Sequence, residues 1–208
     1  MKKEKYLKEQ NQGGYTIIET MIAISLFLVV VMTGMTSLLN ASAVHQKSQD
    51  MRSILDSTSF IMEDMSRNIR TGSKIHCIIG NDDFTGLSVP KSSPSGGNCW
   101  GIAFKPSNGN INNPNDLWVY YISNGEIWKS TQGPYTTNAN FVKISPDEAS
   151  ISSISGFTVL GALPPNPDLS GDNQQPLVLI RLVGTITYKS VITSFSLQTS
   201  VSQRLVDI

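Results

Sequence analysis

Between Thr20 and Val44 the chain carries no formally charged side chain. An apolar run of roughly 20 residues or more is long enough to cross the hydrocarbon core of a bilayer as one helix. Lipid offers the backbone no hydrogen-bond partner, so a single span must satisfy its N–H and C=O groups internally, and a helix does this. The anomaly is Glu19, near the start of the run. A carboxylate at membrane depth costs about 2.5–3.5 kcal/mol on insertion scales, which marks it as a functional candidate.

The residues before the run point the same way. Met1–Gly14 holds Lys2, Lys3, Lys5 and Lys8 and little apolar content, so the positive-inside rule keeps this end cytoplasmic and sends the C-terminal bulk outward. A cleaved secretory signal fits poorly: no Ala-x-Ala-type site follows the run, which also exceeds the roughly 7–15 residues of a signal core. The block Gly14-Tyr15-Thr16-Ile17-Ile18-Glu19 resembles the processing site of type IV prepilins and pseudopilins. That resemblance implies a leader of residues 1–14, cleavage between Gly14 and Tyr15 by a prepilin peptidase, and N-methylation of Tyr15. It makes Glu19 the fifth mature residue, with a role in assembly. Tyr15 stands where Phe is commonest in that family. On the residues alone, cleavage would create an α-amine one helical turn before Glu19, and positions i and i+4 share a helix face. The pairing can be made within one chain or with a neighbouring subunit, and the resemblance favours the neighbour. The competing reading is an ordinary signal anchor with a tolerated Glu.

Beyond the apolar span (residues 15–44), Met51, Ile54, Leu55, Thr58, Ile61, Met62, Met65 and Ile69 recur at helical spacing. Lys47, Asp50, Arg52, Asp56, Glu63, Asp64, Arg67 and Arg70 take the other positions. This predicts an amphipathic continuation over residues 45–72 with one stripe to bury. No Pro interrupts Tyr15–Val89, and Gly72 is a stop signal. A helix from Tyr15 to about Arg70 would be on the order of 84 Å long.

After Gly72 the period changes to that of strands. Lys74–Ile79, Cys99–Lys105, Leu117–Ser123, Glu126–Thr131, Phe141–Ile144, Ile154–Leu160, Leu177–Tyr188 and Val191–Val201 are short apolar or alternating runs between turn-rich stretches. Asn124-Gly125 has the composition of a type I′ hairpin turn, which places Tyr121 opposite Trp128 and Ile122 opposite Ile127. Trp100, Trp118, Tyr120, Tyr121 and Trp128 read as sheet packing rather than a ligand platform. Asn81–Asn98 and Gly161–Gln175 read as surface loops. The fold class is therefore α+β: one long N-terminal helix packed on a mostly antiparallel sheet domain over residues 73–208.

Cys77 and Cys99 are the only cysteines. An even count in an exported domain makes a disulfide the default reading, with two buried thiols as the alternative. Two Cys beside His76 do not supply zinc spacing, and His76 reads as a strand residue rather than a base. Asp168–Asn173 lacks the spacing and terminal Glu of a calcium loop and reads as a turn. No nucleophile elbow, phosphate loop, zinc-protease motif or dinucleotide fingerprint occurs. No cofactor or enzymatic activity is indicated. The 16 basic and 16 acidic residues balance, which is not the footprint of a nucleic-acid binder.

The closing stretch Ser194–Arg204 is similar to the end of J-type pseudopilins and W-type minor pilins. The resemblance implies a structural subunit at or near the tip of a type IV pilus or secretion-type filament. Its partners would be a peptidase/methyltransferase, other pilin subunits and a membrane assembly platform. Two readings from other classes compete: a tip adhesin or DNA-uptake module using the long loops, and a membrane-anchored enzyme whose site assembles only on folding.

Overall fold

The computed structural model describes residues 13–80, 84, 86–95, 97–110, 112–135, 140–164, 174–188 and 191–204. Leader residues 1–12, part of the Asn81–Asn98 loop, and Pro165, Pro167 and the Asp168–Asn173 turn lie outside these. The chain divides into two compact units, one ending at Ser48 and one beginning at Gln49.

Helix α1 (Ile17–Thr71) runs through both units. In the first unit its large apolar side chains, among them Ile24, Phe27, Val30 and Leu38, are exposed. Four of the span's hydroxyls fold back onto their own helix. Thr20 donates to Ile17 O, Ser25 to Ile22 O, Thr33 to Val29 and Val30 O, and Thr36 to Met32 O. Such back-bonding leaves those polar groups without need of water. By length and composition this helix can cross a membrane.

In the second unit the helix buries Ile54, Thr58, Ile61, Met62, Met65 and Ile69, the stripe expected from its period. The helix ends where Gly72 N–H bonds to Asn68 O and Ile69 O. Glycine is needed there for room: a Cβ would lie 2.5 Å from the Phe104 ring and 3.0 Å from Lys105 O.

The strands form two antiparallel sheets. The first has the order β1 (Ser73–Ile78), β2 (Gly101–Lys105), β3 (Trp118–Ser123), β4 (Glu126–Ser130), β5 (Val142–Lys143). The second is built on β8 (Leu177–Tyr188), with β9 (Val191–Ser202) along one side and β6 (Ala149–Ile151) and β7 (Gly156–Leu160) in tandem along the other. The β3–β4 hairpin has the expected register, Tyr121 with Trp128 and Ile122 with Ile127. Asn124 and Gly125 take φ of 52° and 80°, as a type I′ turn requires.

The main core joins the helix stripe to Ile75, Ile102, Phe104, Tyr120 and Ile127 of the first sheet and to Phe157, Val178, Ile180 and Leu182 of the second. A smaller core on the other face of the first sheet gathers Val119, Tyr121, Tyr135 and Phe141, with Phe84, Trp100 and Trp128 against it. The aromatics there meet edge-on or stacked. Tyr121 and Phe141 centroids are 4.9 Å apart at 86°, and Tyr121 and Trp128 lie nearly parallel at 6.3 Å. These are packing geometries. Cys77 and Cys99 form a disulfide with Cα atoms 5.4 Å apart.

The helix packs on antiparallel sheets as expected, and there are two of them. Two expectations are corrected. Ile154 lies in a turn, with Ser155 N–H bonded to Ser152 O, so β7 begins at Gly156. Ala149–Ile151, absent from the expected strands, pairs with β8.

Candidate functional site

The residues singled out at the N-terminus occupy a helix start. Thr16 precedes α1 and caps it. Its carbonyl accepts from Thr20 N–H at 3.2 Å and its hydroxyl from Glu19 N–H at 3.3 Å. With Glu19 three residues after the cap, Thr16-Ile17-Ile18-Glu19 has the composition of a capping box. A carboxylate in the first turn also complements the helix dipole, by roughly 0.3–1 kcal/mol. The Thr16 cap was readable from the Thr-x-x-Glu pattern, although the Glu19 carboxylate does not make the reciprocal bond to Thr16 N–H among the described residues.

The cap changes one expectation. Tyr15 lies outside the helix, so the Tyr15–Glu19 pair does not share a helical face in this unprocessed chain. Reaching Glu19 from Tyr15 within one chain would require the helix to extend backward past Thr16.

Gly13 and Gly14 are exposed, and a Cβ on either would meet nothing within 4 Å. Neither takes a positive φ. Nothing in the chain's own packing or backbone demands glycine at these positions. Glu19 is also exposed, and its carboxylate has no partner among the described residues. In the same unit, the hydroxyls of Thr20, Ser25, Thr33 and Thr36 are satisfied by the helix itself.

The head offers less chemistry. A polar cluster ties α1 to the first sheet. Asp64 Oδ2 accepts from Lys129 Nζ at 2.7 Å and Tyr120 OH at 2.9 Å, and Oδ1 accepts from Asn68 Nδ2 at 2.9 Å. Lys129 also lies over the Trp118 ring, 4.8 Å from its centroid. Burial pushes the Asp64 carboxyl up, but the bonds from Lys129 and Tyr120 and the Lys129 charge outweigh it and hold the group below the usual carboxylate range. Burial pushes the Tyr120 hydroxyl well above the ordinary phenol range. Each member has a structural partner, so the cluster reads as a lock.

Lys105 is buried and donates to Asn110 O and Asn113 O, organising the loop after β2. His76 sits buried in β1 with Nδ1 2.6 Å from Val89 O. Trp100, Tyr121 and Trp128 border a shallow depression of roughly 320 Å³ beside Asn124, and no titratable group with acid–base character lines it apart from the Tyr121 phenol. Among the described residues no group of three His, Cys, Asp or Glu side chains is placed to hold a metal ion.

Comparison with protein-family models, curated proteins and solved structures yields no match.

Proposed function

We propose that this chain is a minor pilin or pseudopilin, a structural subunit of a type IV pilus or secretion-type filament that acts at or near the tip. The observation that carries the reading is the contrast along the exposed apolar part of α1. There the hydroxyls of Thr20, Ser25, Thr33 and Thr36 are satisfied by the helix itself, while the Glu19 carboxylate has no partner among the described residues. Gly14, five residues earlier, is required by nothing in the fold, which suits a residue read by an external peptidase.

In this reading the peptidase cuts between Gly14 and Tyr15, and the new α-amine of Tyr15 is methylated while remaining a cation. Glu19 of one subunit pairs with the Tyr15 amine of a neighbour as the apolar helix leaves lipid for the filament core. The ion pair would repay the desolvation of both charges only if it formed with good geometry, so an out-of-register subunit would be penalised. The two-sheet head would face outward, toward other minor subunits.

The test is intact-mass and N-terminal analysis of the protein recovered from its own host's membranes. A chain beginning at Tyr15 and carrying one added methyl group is expected. An intact Met1 would make this a signal-anchored surface protein and overturn the filament reading.

A further inference from the structure

The two sheets present four edges, and three of them are closed. Along β1, Lys91 lies in a parallel bridge with His76, accepting from Cys77 N–H and donating to Ile75 O. The β5 edge has two residues, one of them Lys143, held between Glu126 and Asp147. Along β7, Phe157 exchanges both backbone bonds with Cys99, and Val159 O accepts from Ser93 N–H. Along β6, Ile151 N–H donates to Gly125 O. Short strands, edge charges and covering loops are the usual protections against unwanted strand pairing.

Among the described residues the β9 edge has none of these. Its pairing with β8 runs without a slip over the whole strand, from Leu177↔Ser202 to Tyr188↔Val191. Gln203 N–H donates to Pro176 O at the end of this register, so the odd-numbered residues of β9 carry the bonds to β8. The even-numbered residues then turn their N–H and C=O groups to the open side. Among the described residues, none of those from Ile192 to Ser202 has a backbone partner there. No charge and no proline occurs between Val191 and Gln203. Twelve residues at about 3.3 Å each present some 40 Å of unpaired backbone.

One end of this edge is basic. Between the Glu63–Arg70 stretch of α1 and Thr199–Ser202 lies a groove of roughly 530 Å³. Glu63 is taken up by Arg67, 2.8 Å away. Arg70 has no carboxylate partner among the described residues, and Arg204 sits beside it through the bond from Arg204 N–H to Arg70 O. Among the described residues the local balance is positive. A strand added beside β9 would lay its inward side chains over this groove.

We propose that the open β9 edge docks an extended strand of another protein, antiparallel or parallel to β9, with an acidic side chain on its inward row opposite Arg70. Backbone bonds give such addition its affinity and the pocket under alternate side chains gives it specificity. The inference is independent of N-terminal processing, because the edge belongs entirely to the second unit.

The probe is a fluorescein-labelled twelve-residue peptide of alternating Thr and Val with two Glu on the Val row. Binding to the full chain in detergent micelles is followed by anisotropy. Saturable binding is expected, with slowed amide exchange at Ser194, Ser196, Gln198 and Ser200. N-methylating alternate peptide amides should weaken it by about tenfold or more. So should Ser196→Pro, which removes only an outward N–H, and Ser196→Lys, which keeps every backbone donor and controls for folding. Arg70→Glu should weaken the Glu peptide and favour its Glu→Lys counterpart.

Three results overturn the proposal. One is absence of saturable binding up to about 1 mM peptide. Another is binding indifferent to peptide N-methylation or to Ser196→Pro. The third is concentration-dependent self-association of the chain alone, abolished by Ser196→Lys, which would give the edge to a second copy.

Discussion

Replacing Asp64 with Ala is the perturbation whose cost can be worked most directly from the structure. The substitution strips the acceptor from three donors: Lys129 Nζ, Tyr120 OH and Asn68 Nδ2. Tyr120 is fully buried, and a buried donor left without an acceptor costs about 1–3 kcal/mol. Asn68 keeps its bond to the Tyr120 oxygen, at 3.0 Å. The Lys129 and Asp64 side chains retain 20% and 35% of their exposure, so water screens that ion pair and its share is discounted toward the surface value of about 0–1 kcal/mol. Asp64→Ala is therefore expected to cost about 2–3 kcal/mol. Tyr120→Phe should cost about 1 kcal/mol. The double variant should show about 1 kcal/mol of coupling.

The assay is urea unfolding of the full chain in detergent, followed by near-ultraviolet circular dichroism, to which Trp118 beside Lys129 contributes. The pH dependence has a definite sign. Because the folded carboxyl is held below the ordinary aspartate value of 3.8, its contribution is complete above that value. It is lost as pH falls through the lower folded value. Asp64→Asn should flatten the acid limb of the stability profile and leave the neutral region parallel. Strict additivity of Asp64→Ala and Tyr120→Phe, or an unchanged acid limb in Asp64→Asn, would refute the idea that this cluster locks helix to sheet.

Three further outcomes are expected. Cys99→Ser should lower stability by roughly 3 kcal/mol, as loss of a crosslink closing 22 residues implies, and reductant should then have no effect on the variant's urea midpoint. Met65→Ala, at a fully buried position, should cost about 2–5 kcal/mol in the same assay, whereas Phe60→Ala, at 72% exposure, should stay within about 0.5 kcal/mol. Glu19→Gln should keep the helix start, since Thr16 makes the cap through the residue-19 backbone N–H, yet abolish incorporation into filaments measured by shear fractionation. Normal incorporation of the Gln variant would refute a role for the Glu19 charge in assembly.

What the sequence made legible follows the range of the interactions involved. The amphipathic stripe from Ile54 to Ile69 and the Asn124-Gly125 hairpin are local patterns, and both recur in the structure. The division into two sheets is not local. Strand β8 serves β6 and β7 in tandem, and the gap between them is bridged by Ser155, whose hydroxyl accepts from Val183 N–H and donates to Val183 O. A serine side chain doing the work of a strand residue leaves no periodic signal, so Ala149–Ile151 was missed and Ile154 misplaced. The Asp64–Lys129 pair joins residues 65 apart and was invisible for the same reason. At the candidate site the position of Glu19 was readable, but the Thr16 cap was overlooked, because a helix starting at Tyr15 puts Thr16 inside it.

The apolar part of α1 sets a demand that two environments meet equally well. Side chains such as Ile24, Phe27, Val30 and Leu38 are more than half exposed in the isolated chain, and a soluble monomer rarely leaves so continuous an apolar surface open to water. Lipid covers it, and so does a bundle of like helices, so the hydrophobic run cannot decide between an anchor and a filament subunit. Glu19 distinguishes them. In lipid the carboxylate returns only the roughly 0.3–1 kcal/mol of its helix-dipole interaction, against a cost of about 2.5–3.5 kcal/mol at membrane depth. In a bundle of processed subunits each chain brings one α-amine near the depth at which each Glu19 arrives, and the charge becomes a register mark. The filament reading gives this carboxylate a cationic partner, which the helix dipole alone does not supply.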